Sequence, residues 1–222
     1  MEEISVFDVI GPNMIGPSSS HTAGALKIAR MAYRIMGEKI VKVRFTLFGS
    51  FACTYSGHGT DRALVAGILG FDTEDGRIRD AMHYADEQGL EVVFETNTTD
   101  QDVHPNTVEM ALTGENGKHL TVRGVSLGGG KVAIKQLDGV DVHIEGSGST
   151  LIVRHIDKPG ALAYIATCIS QWNINIAGLR MHREGRGETA YAELSIDSPA
   201  PDSLIQVLEA HPIVTGVTQI QV

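Results

Sequence analysis

Asp157-Lys158-Pro159-Gly160-Ala161-Leu162 reads as a turn that opens into a helix. The Asp, Pro and Gly punctuate the chain, and an apolar stripe begins at once behind them. Upstream, residues 150–156 have a strand-like composition. Downstream, Leu162, Ile165, Ala166 and Ile169 share one face of a helix over 162–172. Residues 174–182 form a strand, Glu184-Gly185-Arg186-Gly187 a turn, and 189–196 a return strand. A helix over 201–210 carries proline near its start, where it is tolerated. Residues 214–222 form the last strand. The order is βαββαβ, a split βαβ unit of one sheet and two helices.

Moving outward, Gly146-Ser147-Gly148-Ser149 has the composition of a short flexible linker. It divides the chain into 1–146 and 150–222. The full chain of 222 residues has room for two modest domains, and its 42% hydrophobic content is that of a globular protein. A net charge of −9 without long basic runs argues against nucleic acid and anionic membrane surfaces. No apolar run approaches the roughly 18 residues that cross a bilayer. Met1-Glu2-Glu3-Ile4 lacks the basic-then-apolar order of a signal peptide. The expected location is the cytoplasm. The two cysteines, Cys53 and Cys168, are far apart, too few for a cluster held by three or four thiolates. The nine histidines form no His-Glu-x-x-His pair, so a zinc site on this chain is not expected.

The first domain reads as α+β, a mixed sheet with helices. Residues 4–11 are a short apolar start, a turn or short helix. Leu26, Ala29, Tyr33 and Met36 repeat at helical spacing, opposite Lys27, Arg30 and Arg34, and Gly37 stops the helix. Val41, Val43, Phe45 and Leu47 alternate as a half-buried strand that ends at Gly49 and Ser50. A short apolar helix runs over 62–69, and Ile78, Ala81, Met82 and Ala85 mark another. Strands follow at 90–95 and around Val108, Met110 and Leu112. Gly114-Glu115-Asn116-Gly117 is a hairpin turn before Leu120 and Val122. Gly128-Gly129-Gly130 reads as a bulge or a close backbone approach.

Gly16-Pro17-Ser18-Ser19-Ser20-His21-Thr22-Ala23-Gly24 precedes the first helix. The first backbone N–H groups of a helix lack partners and carry partial positive charge, so they suit a carboxylate or phosphate. Ser18, Ser20 and Thr22 add hydroxyl donors, and His21 titrates near neutrality. The plain alternative is an N-cap, for which one hydroxyl suffices. A second polar loop, Ser56-Gly57-His58-Gly59-Thr60-Asp61, places His58 between glycines that permit close approach of a ligand. Its plain alternative is a turn capped by Thr60 or Asp61. His104 reads as a strand-entry residue.

Residues 150–222, through Asp157-Lys158-Pro159-Gly160-Ala161-Leu162 and Trp172-Asn173-Ile174-Asn175-Ile176, resemble an ACT domain, an amino-acid-binding regulatory module of ferredoxin-like fold. The resemblance implies an effector site at His155, Asp157, Pro159, Gly160 and Asn175, or a domain that only dimerises. The whole chain, through Gly16 to Thr22, Gly57 to Asp61 and His104-Pro105-Asn106-Thr107, resembles the β-chain of the iron–sulfur L-serine dehydratases. The first domain is also similar to a regulatory substrate-binding domain of some phosphoglycerate dehydrogenases.

The dehydratase resemblance implies conversion of L-serine to pyruvate and ammonia, in amino-acid metabolism and gluconeogenesis. It implies a [4Fe-4S] cluster with one open iron that takes the substrate hydroxyl. Two distant cysteines cannot hold that cluster, so it belongs on a partner α-chain in a heteromer. Pyridoxal phosphate chemistry needs a lysine site of the Ser-x-Lys-x-Arg-Gly type, which the chain lacks. Ser18, Ser20 and Thr22 are expected to hold the substrate carboxylate. His21 or His58 is expected to act in acid–base chemistry. The alternative is a purely regulatory subunit with all chemistry in the partner. The ACT unit is expected to pair with a second copy.

Overall fold

The computed structural model describes residues 16–100, 102–145 and 149–221. The apolar start at 4–11 and the linker residues Gly146, Ser147 and Gly148 lie outside them. Packing divides the chain into two compact units, 1–138 and 139–222. Among the described residues no helix is long and apolar enough to cross a membrane.

The N-terminal sheet has six strands: β1 (Ile40–Phe48), β2 (Glu91–Asn97), β3 (Thr107–Gly114), β4 (His119–Gly128), β5 (Lys131–Leu137) and β6 (Val140–Ile144). Their order is β2-β1-β3-β4-β5-β6, and β6 lies on the C-terminal side of the division. Strand β1 pairs in parallel with β2 and antiparallel with β3, which makes the sheet mixed, as expected. Val43, Phe45 and Leu47 are fully buried on one face of β1. Lys42 meets Glu91 across the strands at 2.7 Å, and Arg123 meets Glu109 at 2.7 Å. This is the two-sided patterning of a half-covered sheet, with cross-strand pairs on the wet face.

Helices cover the apolar face: α1 (Ala25–Met36), α2 (Gly49–Thr54), α3 (Thr60–Ile68) and α4 (Ala81–Glu87). The long connection from β1 to β2 contains α2, α3 and α4, because a parallel pair needs a crossover. Helix α1 packs against β3, β4 and β5 on one side and α3 on another. It therefore buries two stripes, and Ile28, Met31 and Ile35 join Leu26, Ala29 and Met36 in the core. This corrects the single stripe expected from spacing, because Tyr33 is exposed. The glycine triplet begins where the β4–β5 register shifts between Ser126 and Gly128, a bulge-type irregularity as expected, and its last two residues turn the chain. Gly128 pairs with Lys131, and Gly129 and Gly130 have φ of 58° and 77°. Two left-handed residues between paired strands form the turn favoured in two-residue hairpins.

The C-terminal sheet contains β7 (Ser149–Ile156), β8 (Ile176–Arg183), β9 (Thr189–Ile196) and β10 (Val214–Gln221). Its helices are α5 (Ala161–Gln171) and α6 (Asp202–Glu209). The order β10-β7-β9-β8, antiparallel throughout, is the expected βαββαβ ferredoxin-like fold. Leu151, Val153, Ile165, Ile169, Leu194, Leu204 and Leu208 form its core between the sheet and both helices.

Candidate active site and ligand cleft

The polar loop that begins at Ser18 is the first turn of a continuous helix. Residues Ser19–Gly24 wind as a π-helical turn that runs straight into α1. Ser18 is its N-cap, and its hydroxyl accepts the His21 backbone N–H at 3.1 Å. Such turns recur at functional sites, where the wider winding re-aims side chains. The turn sits against β4, and an added methyl at Gly24 would collide with the Ser126 hydroxyl, so the approach requires glycine.

His21 is held at both ring nitrogens. Nδ1 lies 2.9 Å from Ser20 Oγ and 3.5 Å from Ser18 Oγ, and Nε2 lies 2.9 Å from Ser50 Oγ. Its ring packs edge-on to Phe51, with centroids 5.3 Å apart. Burial and the neighbouring His58 both push the His21 pKa below its ordinary value, burial more strongly. His21 is therefore neutral near pH 7.

His58 is exposed, and its ring centroid lies 5.2 Å from that of His21. Its Nδ1 faces the Thr54 carbonyl at 3.4 Å, and its backbone N–H donates to the same oxygen. Thr22 is buried, and its hydroxyl donates to the His58 carbonyl at 3.2 Å. Thr22 thus ties the two loops together rather than facing outward. Helix α2 is a turn that sequence reading missed. Its Ser50 reaches His21, and its Thr54 holds His58. The His104-Pro105-Asn106-Thr107 segment supports α2 from below. The Pro105 carbonyl accepts the Phe51 N–H at 3.3 Å, and an added methyl at Gly49 would lie 2.7 Å from Pro105 Cα. His104 itself is exposed and accepts the Asn106 N–H at 3.2 Å.

The structure thus brings Ser18, Ser20, His21, Thr22 and His58 together and adds Ser50 and Phe51. No periodicity marked α2, and Ser50 looked like a strand end. Among the described residues no group of three or more potential ligands could hold a metal ion. Cys53 is exposed and Cys168 buried, both free, on different units.

A second concave site lies on the C-terminal unit. A cleft of about 350 Å³ opens at the start of α5, lined by His155, Asp157, Pro159, Gly160, Met181 and Arg183 among others. Gly160 takes φ +91° and leaves the α5 N-terminus without a side-chain cap. His155 is 1% exposed, and its Nδ1 bonds the Ile156 carbonyl at 2.9 Å, while its Nε2 has no partner among the described residues. Arg183 donates to Asp157 at 3.1 Å. Asn175 is elsewhere: it is exposed and donates to Asp197 at 2.9 Å. Sequence reading found the turn but missed Met181 and Arg183, which arrive from β8 through sheet register.

A family model described as serine dehydratase beta chain matches residues 5–137. The chain is 39% identical over 220 residues to the probable L-serine dehydratase, beta chain, of Bacillus subtilis, covering 99% of both chains. It is 39% identical over 204 residues to the L-serine dehydratase, beta chain, of Peptoniphilus asaccharolyticus, covering 92% of each. It is 27% identical over 148 residues to the D-3-phosphoglycerate dehydrogenase of a Synechocystis strain, covering 64% of this chain and 26% of that relative.

Proposed function

The chain belongs to the serine dehydratase beta chain family, and we propose that it supplies substrate-binding and acid–base groups to an active site shared with an α-chain. The observation that carries this reading is the pairing of an exposed His58 with a neutral His21, 5.2 Å apart, beside the Ser18 and Ser20 hydroxyls.

The roles follow from exposure and bonding. Ser18 and Ser20 hold the carboxylate of L-serine at the helix start, where dipole and hydroxyls favour an anion. His21, with both ring nitrogens engaged, shapes that site. His58 donates its Nδ1 proton to the Thr54 carbonyl, which leaves the Nε2 lone pair open to remove the α-proton. Loss of that proton and of hydroxide gives an enamine that tautomerises and hydrolyses to pyruvate and ammonia.

The [4Fe-4S] cluster of the resemblance does not fit this chain. Its two cysteines lie on separate units, one exposed and one buried, and such clusters need more thiolates than that. We place the cluster on the α-chain. The His155 cleft is read as an effector site. The open α5 N-terminus receives a ligand carboxylate, and His155 Nε2 gains the partner it lacks. A small amino acid, serine first, fits both groups.

A second reading follows the resemblance of the first domain to a regulatory substrate-binding domain: the first unit binds serine only as an effector, and all chemistry lies in the α-chain. Co-purification of this chain with its α-chain tests the main reading. Iron and serine-dependent pyruvate formation are expected only when the α-chain is present. A stoichiometric cluster on this chain alone, or full turnover by the α-chain alone, would overturn it.

A further inference from the structure

Ser50 has no place in the motifs that drew attention in the sequence, yet its hydroxyl lies 2.9 Å from His21 Nε2. A neutral imidazole carries one N–H and one lone pair, and the partner of each nitrogen decides which is which. Two hydroxyl oxygens converge on Nδ1, Ser20 at 2.9 Å and Ser18 at 3.5 Å, whereas among the described residues Nε2 meets the Ser50 hydroxyl. Ser18 Oγ also accepts the His21 backbone N–H, so this oxygen already works as an acceptor.

We propose that Ser50 is a positioning residue: it donates its O–H to His21 Nε2 and holds the ring as the Nδ1–H tautomer. Nδ1–H then donates to the Ser20 oxygen. The hydrogens of Ser18 and Ser20 stay free to point outward, as donors to a carboxylate. In the opposite tautomer Ser20 turns its hydrogen inward to Nδ1, and Ser18 can follow it across the 3.3 Å between the two oxygens. The loop then presents lone pairs to an anion and repels it. Ser50 thus sets the sign of the serine loop.

The scaffold around Ser50 holds its hydroxyl in place. Its carbonyl accepts the Thr54 hydroxyl at 2.8 Å, which closes the turn of α2. Its neighbours Gly49 and Phe51 are locked against Pro105. The carboxylate part of this inference rests on the function proposed above, but the tautomer part does not.

Nitrogen-15 NMR of the histidine rings in the full chain tests it. In the unaltered protein His21 is expected to be neutral at pH 7 with the proton on Nδ1. Ser50→Ala is expected to move the proton to Nε2, and Ser50→Thr to keep it on Nδ1. A proton on Nε2 in the unaltered protein, or an unchanged tautomer in Ser50→Ala, would overturn the proposal. Backbone amide spectra identify a variant that has failed to fold, and Ser50→Cys, a poorer donor of similar size, then takes its place with a partial shift expected. In the complex with the α-chain, Ser50→Ala should raise KM for serine about tenfold, the scale of one lost hydrogen bond, and change kcat less. A tautomer shift in a complex that makes no pyruvate would count against the dehydratase reading and leave the role of Ser50 standing.

Discussion

His21 and His58 are neighbours with different surroundings, the first partly buried and the second exposed. The folded protein lowers the His21 pKa through burial and then through His58. The unfolded chain therefore binds the His21 proton more readily than the folded one. Stability from this group is complete above about pH 6.5, the unfolded value, and is lost as pH falls from there through the lowered folded value. Calorimetry of the full chain between pH 7 and 5 should show the unfolding temperature falling more steeply than in His21→Gln, which has no proton to gain. Equal slopes for the two proteins would mean that His21 is not held neutral by the fold. His58 is exposed, so its replacement should change stability by no more than about 0.5 kcal/mol, the usual range for a surface position.

Among the elements, those with a long periodic signal were legible and those without were not. Strand β1 came from alternation alone, with Val43, Phe45 and Leu47 buried as read. Helix α2 has six residues and no stripe, so nothing in its sequence announced it, although it holds both histidines. Spacing gave α1 one buried stripe because it could not show a second partner. That partner is α3, brought close at Gly67, where an added Cβ would meet the Leu26 carbonyl and lie 2.7 Å from Ala29 Cβ. Gly67→Val should therefore force α1 and α3 apart and destabilise the first unit by about 1–3 kcal/mol or more, the cost of overpacking. Chemical denaturation checks this, and a variant of unchanged midpoint would show that the helices do not touch there. The serine loop moves with α1, so the same variant should also lose serine binding.

At the scale of the molecule, the C-terminal unit was the most legible part, because six elements within residues 150–222 admit few topologies. Its cleft was half legible: Pro159 and Gly160 signal the turn locally, whereas Arg183 reaches Asp157 only through the pairing of β8 with β9. Strand β8 is an edge of that sheet and exposes Leu179 and Met181 at 43% and 41%. Exposed apolar side chains on an edge strand suit a partner surface, and we expect a second copy of this unit to cover Leu179 and Met181. Leu179→Glu with Met181→Glu should lower the sedimentation coefficient of the full chain and weaken its response to serine. An unchanged oligomer would place the contact on another surface. Whether the N-terminal unit takes part in the chemistry is decided by the turnover of His58→Ala in the complex with the α-chain at saturating serine. The expected kcat is lower by about 10²–10⁴-fold with the complex intact, the range for a lost general base. A near-normal kcat, with only the serine concentration dependence altered, would contradict it and leave this chain a regulator.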